Sequence, residues 1–114
     1  MFRKMSMAVA AAIVMTGAAV AAEPIEGTWK RSNGTLIQYA ASGGQFCGTV
    51  LTGEYKGKSI GCMAGSGGSY KGKVNKLDEG KTYSGKASVS GKTLSLSGCV
   101  LGGIICKSES LARQ

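Results

Sequence analysis

The chain has 114 residues, with 14 Lys and Arg against 6 Asp and Glu, a formal charge of +8 and no histidine. That length holds one small domain with a modest core. The lack of histidine excludes the Ser-His and Cys-His pairs of conventional nucleophilic catalysis, and the basic balance favours anionic over cationic partners.

Residues 1–22 read as a secretory signal peptide. Arg3 and Lys4 supply the positive start, Met5 to Ala19 is an apolar run broken by Ser6, Thr16 and Gly17, and Val20-Ala21-Ala22 offers the small residues needed for cleavage. The run is short for the ~20 residues of a membrane span. Glu23 stands where a lipoprotein needs Cys, and Arg3-Lys4 is not a twin-arginine signal. Residues 23–114 are then one exported domain, periplasmic or secreted and soluble after cleavage.

Beyond Ala22 no stretch sustains a helical period, and glycine-rich turns separate short alternating segments, so the domain is all-β. Ile25, Gly27 and Trp29 face one way. A three-residue loop, Ser32-Asn33-Gly34, with Gly34 in the left-handed region sets Ile37 and Tyr39 on the same face as Trp29, burying more apolar area than a two-residue Asn-Gly turn. Phe46, Gly48 and Val50 face inward on the next strand. A loop-rich piece is expected from Thr52 to Ser69. Tyr70, Gly72 and Val74 then alternate inward, and Asp78-Glu79-Gly80-Lys81 turns the chain so that Val74 meets Gly85 and Gly72 meets Ala87. Tyr83, Gly85, Ala87 and Val89 face in, as do Leu94, Leu96 and Gly98 after the Gly91-Lys92 turn. Gly102-Gly103 makes a last two-residue turn before a closing strand from Ile104 to Leu111. These are seven or eight antiparallel strands joined in sequence, an up-and-down arrangement. The mid-strand glycines Gly27, Gly48, Gly72 and Gly85 fit the sharp bending of a small closed barrel, or room for a ligand.

The four cysteines lie in the exported part, and an even count in a short exported chain reads as disulfides. The segment from Cys99 to Cys106 is symmetric about Gly102-Gly103, so a turn there sets the two cysteines opposite each other within disulfide reach. Cys47 and Cys62 are left to pair. With no histidine and no Cys-x-x-Cys spacing, no metal site or other cofactor is expected.

The acids are few, and Asp78-Glu79 sits in a turn, where acidic residues cap and solvate. No enzyme is expected. Trp29, Tyr39, Phe46, Tyr70 and Tyr83 are candidate lining for a small apolar or amphipathic ligand, against the plainer reading that they are the core. On the outer surface Lys73 is expected to face Lys86 with Lys71 close by, a candidate anion-binding patch for lipid headgroups, surface glycan or an acidic protein, against the plainer reading of edge protection. Export and the lack of interleaved aromatics argue against nucleic acid.

Four pieces of the chain resemble the bacterial family called domain of unknown function 2147. They are Gly27-Thr28-Trp29, Phe46-Cys47-Gly48-Thr49-Val50, Gly80-Lys81-Thr82-Tyr83-Ser84-Gly85, and the run from Gly98 to Ser108. The resemblance implies a small exported lipocalin-like (calycin) β-barrel and no particular activity. Three departures stand out. Gly53 to Met63 is short where the family carries an Asn-Pro-Asp-rich segment. Ser42 stands where the family often has a second Cys, which further favours Cys47–Cys62. The chain ends Glu109-Ser110-Leu111-Ala112-Arg113 in place of the family's Gln-Thr-Trp-x-Arg.

Overall fold

The computed structural model describes residues 22–114. The expected signal peptide lies outside the described residues apart from Ala22. Period-two alternation over short glycine-bounded segments produces eight strands: β1 (Gly27–Lys30), β2 (Leu36–Ser42), β3 (Gln45–Val50), β4 (Ser59–Ser66), β5 (Ser69–Lys76), β6 (Lys81–Ser90), β7 (Thr93–Val100) and β8 (Ile105–Arg113). Each pairs antiparallel with the next, and β8 returns to β1, so the sheet closes into an up-and-down barrel. Its core is Ile25, Trp29, Ile37, Tyr39, Val50, Ile60, Met63, Tyr70, Ala87, Leu94, Leu96 and Leu111.

The first hairpin forms as its turn chemistry dictates. Arg31 N–H donates to Thr35 O and Gly34 N–H to Arg31 O, both at 2.9 Å. The loop is Ser32-Asn33-Gly34 with Gly34 at φ +91°, and Ile37 lies opposite Trp29. A side chain at Gly34 would have to adopt a left-handed conformation that only glycine takes freely.

Three expectations are corrected. The piece from Thr52 to Ser69 is not all loop: only Leu51–Lys58 connects, and β4 follows. The strand escapes alternation because its register slips between Gly48 and Thr49, so that Gly48 meets Gly61 while Thr49 meets Ser59. The extra residue, Ile60, turns inward together with Met63 and breaks the period of two. The β5–β6 register is shifted by two residues. Its turn is Leu77–Gly80, since Lys76 pairs with Lys81, and Val74 meets Tyr83, Gly72 meets Gly85 and Tyr70 meets Ala87. Lys86 therefore faces Lys71, and Lys73 faces Ser84. A shift of two keeps every side chain on its expected face. Lastly, the β7–β8 turn is four residues: a single 3-10 turn at Leu101–Gly103, followed by Ile104. The turn lengthens by one residue on each side, so the cysteine pairing is unchanged.

Both disulfides form on the outer face between directly opposed residues, Cys47–Cys62 across β3–β4 and Cys99–Cys106 across β7–β8, with Cα atoms 4.0 and 4.1 Å apart.

The inner glycines mostly serve packing. A Cβ at Gly72 would overlap the Cys62 carbonyl and lie 2.7 Å from Met63 Cα. At Gly48 it would meet Ile60 and Tyr39, and at Gly85 it would meet Val74 and Met63. Gly98 differs: its nearest neighbour would be Tyr83 Cβ at 3.6 Å, an ordinary contact. We predict that Gly72→Ala destabilises the protein by about 1–3 kcal/mol or prevents folding, whereas Gly98→Ala is close to neutral. Urea unfolding of the two variants checks the contrast, and equal losses would contradict this account of the inner face.

The seam between β1 and β8 has two ladder pairs, Trp29–Arg113 and Lys30–Ala112, against eight for β5–β6. It depends on Arg113, whose guanidinium lies 4.1 Å from the Trp29 ring centroid and donates to the carbonyls of Glu26 and Pro24. Arg113→Ala is expected to cost about 2 kcal/mol or more, with hydrogen exchange accelerating first in β1 and β8.

Candidate functional site

The two ends of the barrel differ. At one end Glu23–Glu26 folds across the opening as a plug. Ile25 is fully buried, and its carbonyl accepts from Trp29 Nε1 at 2.8 Å. The Tyr70 hydroxyl donates to Glu23 Oε1 at 2.9 Å and accepts from Gly68 N–H at 3.2 Å and Ile25 N–H at 3.4 Å. Phe46 meets Tyr70 edge to face, with centroids 5.6 Å apart. Burial, with the Glu23 hydrogen bond second, pushes the Tyr70 phenol above its ordinary value.

The other end is open. A cavity of about 710 Å³ lies inside it, within the range of small-molecule sites. Ile37, Val50, Ile60 and Leu96 form an apolar floor, with Val74, Leu77, Tyr55 and Tyr83 around the wall. Gly98, where a Cβ would make only ordinary contact with Tyr83, also lines it. The loops that bound the mouth are Arg31–Thr35, Leu51–Lys58, Leu77–Gly80 and Leu101–Ile104.

Strand alternation carries charge into this mouth. On β8 Leu111 faces the core, so Glu109, Lys107 and Ile105 follow it on the inner face. Arg31, two residues beyond Trp29, reaches Glu109 with two parallel hydrogen bonds, Nε to Oε2 at 3.0 Å and Nη2 to Oε1 at 2.9 Å. Lys76 is held by Asp78 at 3.1 Å and Glu79 at 3.6 Å. Lys107 takes part in none of the ion pairs among the described residues, and opposite it stands Gly98. Lys107 thus stands at the mouth, above an apolar floor, as an ammonium outside the ion pairs of the described residues. Among the described residues no three of His, Cys, Asp and Glu gather as a metal site.

Of the five aromatics proposed from sequence, the cavity brings in Tyr83 alone. Trp29, Tyr39 and Tyr70 are buried in the core, and Phe46 packs against it. The sequence reading missed Lys107, Arg31 and the aliphatic floor. Alternation back from Leu111 was the signal that would have placed Lys107 inside. The lysines proposed for anion binding, Lys71, Lys73 and Lys86, share the outer face. Lys71 and Lys86 edge a shallow hollow with Ser84, Cys99, Gly102 and Gly103.

The Tyr39 hydroxyl is the one buried side-chain polar atom among the described residues without a partner. Burial, with the Glu109 charge second, pushes its phenol well above the ordinary value. Tyr39→Phe is expected to leave stability unchanged or raise it by about 1 kcal/mol, because an unsatisfied group is removed. A clear loss in thermal unfolding would show that the hydroxyl has a partner in solution.

In the β5–β6 turn the Lys76 ammonium holds Asp78 below its ordinary value, and the Tyr83 hydroxyl, 2.6 Å away, does the same for Glu79. Depressed carboxyl values favour the folded state above the unfolded values, and the contribution fades as pH falls through the folded ones. Tyr83→Phe should return Glu79 upward toward the ordinary value while Asp78 stays low, as read by carboxyl-carbon NMR titration.

The fold and site define an eight-stranded up-and-down barrel of small size, plugged at one end, open at the other and bound by two disulfides. Residues 60–113 match the family DUF2147, described as an uncharacterized protein conserved in bacteria. The last five strands therefore carry the pattern of the family that the motifs resemble, including the run from Gly98 to Ser108. Neither the curated proteins nor the solved structures include a match to this chain.

Proposed function

We propose that this protein is a non-enzymatic binder of a small amphipathic anion, held in the open half of the barrel. The observation that carries the reading is the pairing of an apolar floor with a lysine at the mouth, Lys107, that stands outside the ion pairs among the described residues. A chain of methylenes would lie on Ile37, Val50, Ile60 and Leu96, and its anionic head would meet Lys107 at the mouth. Burying the tail supplies affinity at about 0.8 kcal/mol per methylene, and the head fixes orientation by a charge-assisted hydrogen bond. With Arg31 and Glu109 bound to each other and no histidine in the chain, the groups at the mouth suit recognition better than proton transfer. The two disulfides favour an oxidising compartment, outside the cytoplasm, as its place of work.

The test uses anilinonaphthalene sulfonate, a fluorescent amphipathic anion. The protein is expected to bind it, with enhanced emission, in competition with a long-chain fatty acid. Gly98→Leu places a side chain in the cavity and should abolish binding. Lys107→Ala should weaken it about tenfold, the contribution of one hydrogen bond to a charged group. Unchanged binding in the folded Gly98→Leu protein would exclude the cavity as the site.

A further inference from the structure

All the large apolar side chains exposed among the described residues lie in one place, the tip of the β7–β8 hairpin. Val100 is 41% exposed, Leu101 68%, Ile104 84% and Ile105 53%. Leu101 is also the one non-glycine residue among the described ones with a positive φ, +53°. A bulky side chain takes that conformation at a cost. An exposed leucine in a strained conformation returns no burial energy to the fold, and glycine or asparagine would serve the turn better. Such an outlier points to a use outside folding. The Cys99–Cys106 disulfide clamps the two strands just below this tip, so the tip is presented by a cross-linked hairpin.

Charge lies beside it. Gly102 and Gly103 of the tip share the outer hollow with Lys71 and Lys86, which oppose each other across the ladder. Neither lysine takes part in the ion pairs among the described residues. Opposed like charges weaken a sheet, so the fold gains nothing from this pair either. Unburied apolar side chains next to unneutralised lysines match the chemistry of a lipid–water interface, where phosphates lie above an acyl region.

We propose that this hairpin tip docks on the surface of an anionic phospholipid bilayer. Leu101 and Ile104 enter the acyl boundary, and Lys71 and Lys86 hold lipid phosphates. A second copy of the chain is the other way to cover the tip, but it would bring two sets of like-charged lysines together, which charge complementarity disfavours. Val100 and Ile105 also line the cavity, so docking would set the mouth against lipid. The docking does not depend on what the cavity holds.

The experiment is co-sedimentation of the purified protein with vesicles of phosphatidylcholine alone or mixed with phosphatidylglycerol. Binding is expected to the anionic vesicles only, and to weaken as salt is raised. Leu101→Asn with Ile104→Ser should weaken it about tenfold or more. The same variant should unfold at an unchanged or higher temperature, because asparagine tolerates the left-handed conformation. Lys71→Glu with Lys86→Glu should weaken binding by about fivefold per lysine or more. The proposal is overturned if the wild type ignores both kinds of vesicle, or if the Leu101→Asn, Ile104→Ser protein binds anionic vesicles as well as the wild type. It is equally overturned if the wild type is a dimer in solution that this variant separates.

Discussion

Closure of the sheet rests on one cluster. β1 has four residues and shares two ladder pairs with β8, too little to hold a seam by backbone hydrogen bonds alone. Arg113 supplies the remainder by stacking on Trp29 and by donating to carbonyls of the plug. The same cluster fixes Ile25 over the barrel end, so closure of the sheet and sealing of that end rest on the same residues. Gln114 N–H extends the seam by donating to Thr28 O at 2.9 Å.

A barrel of eight strands has an interior that side chains can just fill, or that can hold one small ligand. Here the two possibilities divide along the axis. The plugged half is filled by the aromatics Trp29, Tyr39, Phe46 and Tyr70, while Gly48 makes room for Tyr39 and Ile60, Gly85 for Val74 and Met63, and Gly72 for the β4 backbone. The open half has an aliphatic floor, Gly98 with only an ordinary contact to Tyr83, and the charged groups Arg31, Glu109, Lys76 and Lys107. Glycine on an inner face therefore has two meanings in this molecule. Gly48, Gly72 and Gly85 admit a close side chain or strand, whereas at Gly98 the nearest neighbour, Tyr83, stands at an ordinary contact distance.

Alternation made much of this legible from sequence. It placed nearly every inward residue of β1–β3 and β5–β7 correctly, and the symmetry of Cys99 to Cys106 identified that disulfide. Where it failed, the cause is local. Ile60 bulges, so β4 shows no period of two and reads as loop. Cys62 could have rescued it, because a partner opposite Cys47 must lie on a strand beside β3. The β5–β6 partners were displaced because a four-residue turn can begin at Leu77 or Asp78 with similar residues; the tuck of Leu77 into the mouth decides it. The aromatics were assigned to the correct face but not to an end of the barrel. Face follows from strand parity, whereas the filled end depends on where Glu23–Glu26 folds, a long-range contact that no local pattern reports.

The central claim is that the open half of the barrel is a ligand site and not a packing defect. The most direct measurement is a crystal structure of the protein grown with a fatty acid carrying bromine at the end of its tail. The account predicts a bromine anomalous peak among Ile37, Val50, Ile60 and Leu96, with the carboxylate beside Lys107. An empty map, with Tyr55, Leu77 and Tyr83 collapsed into that space, would contradict it.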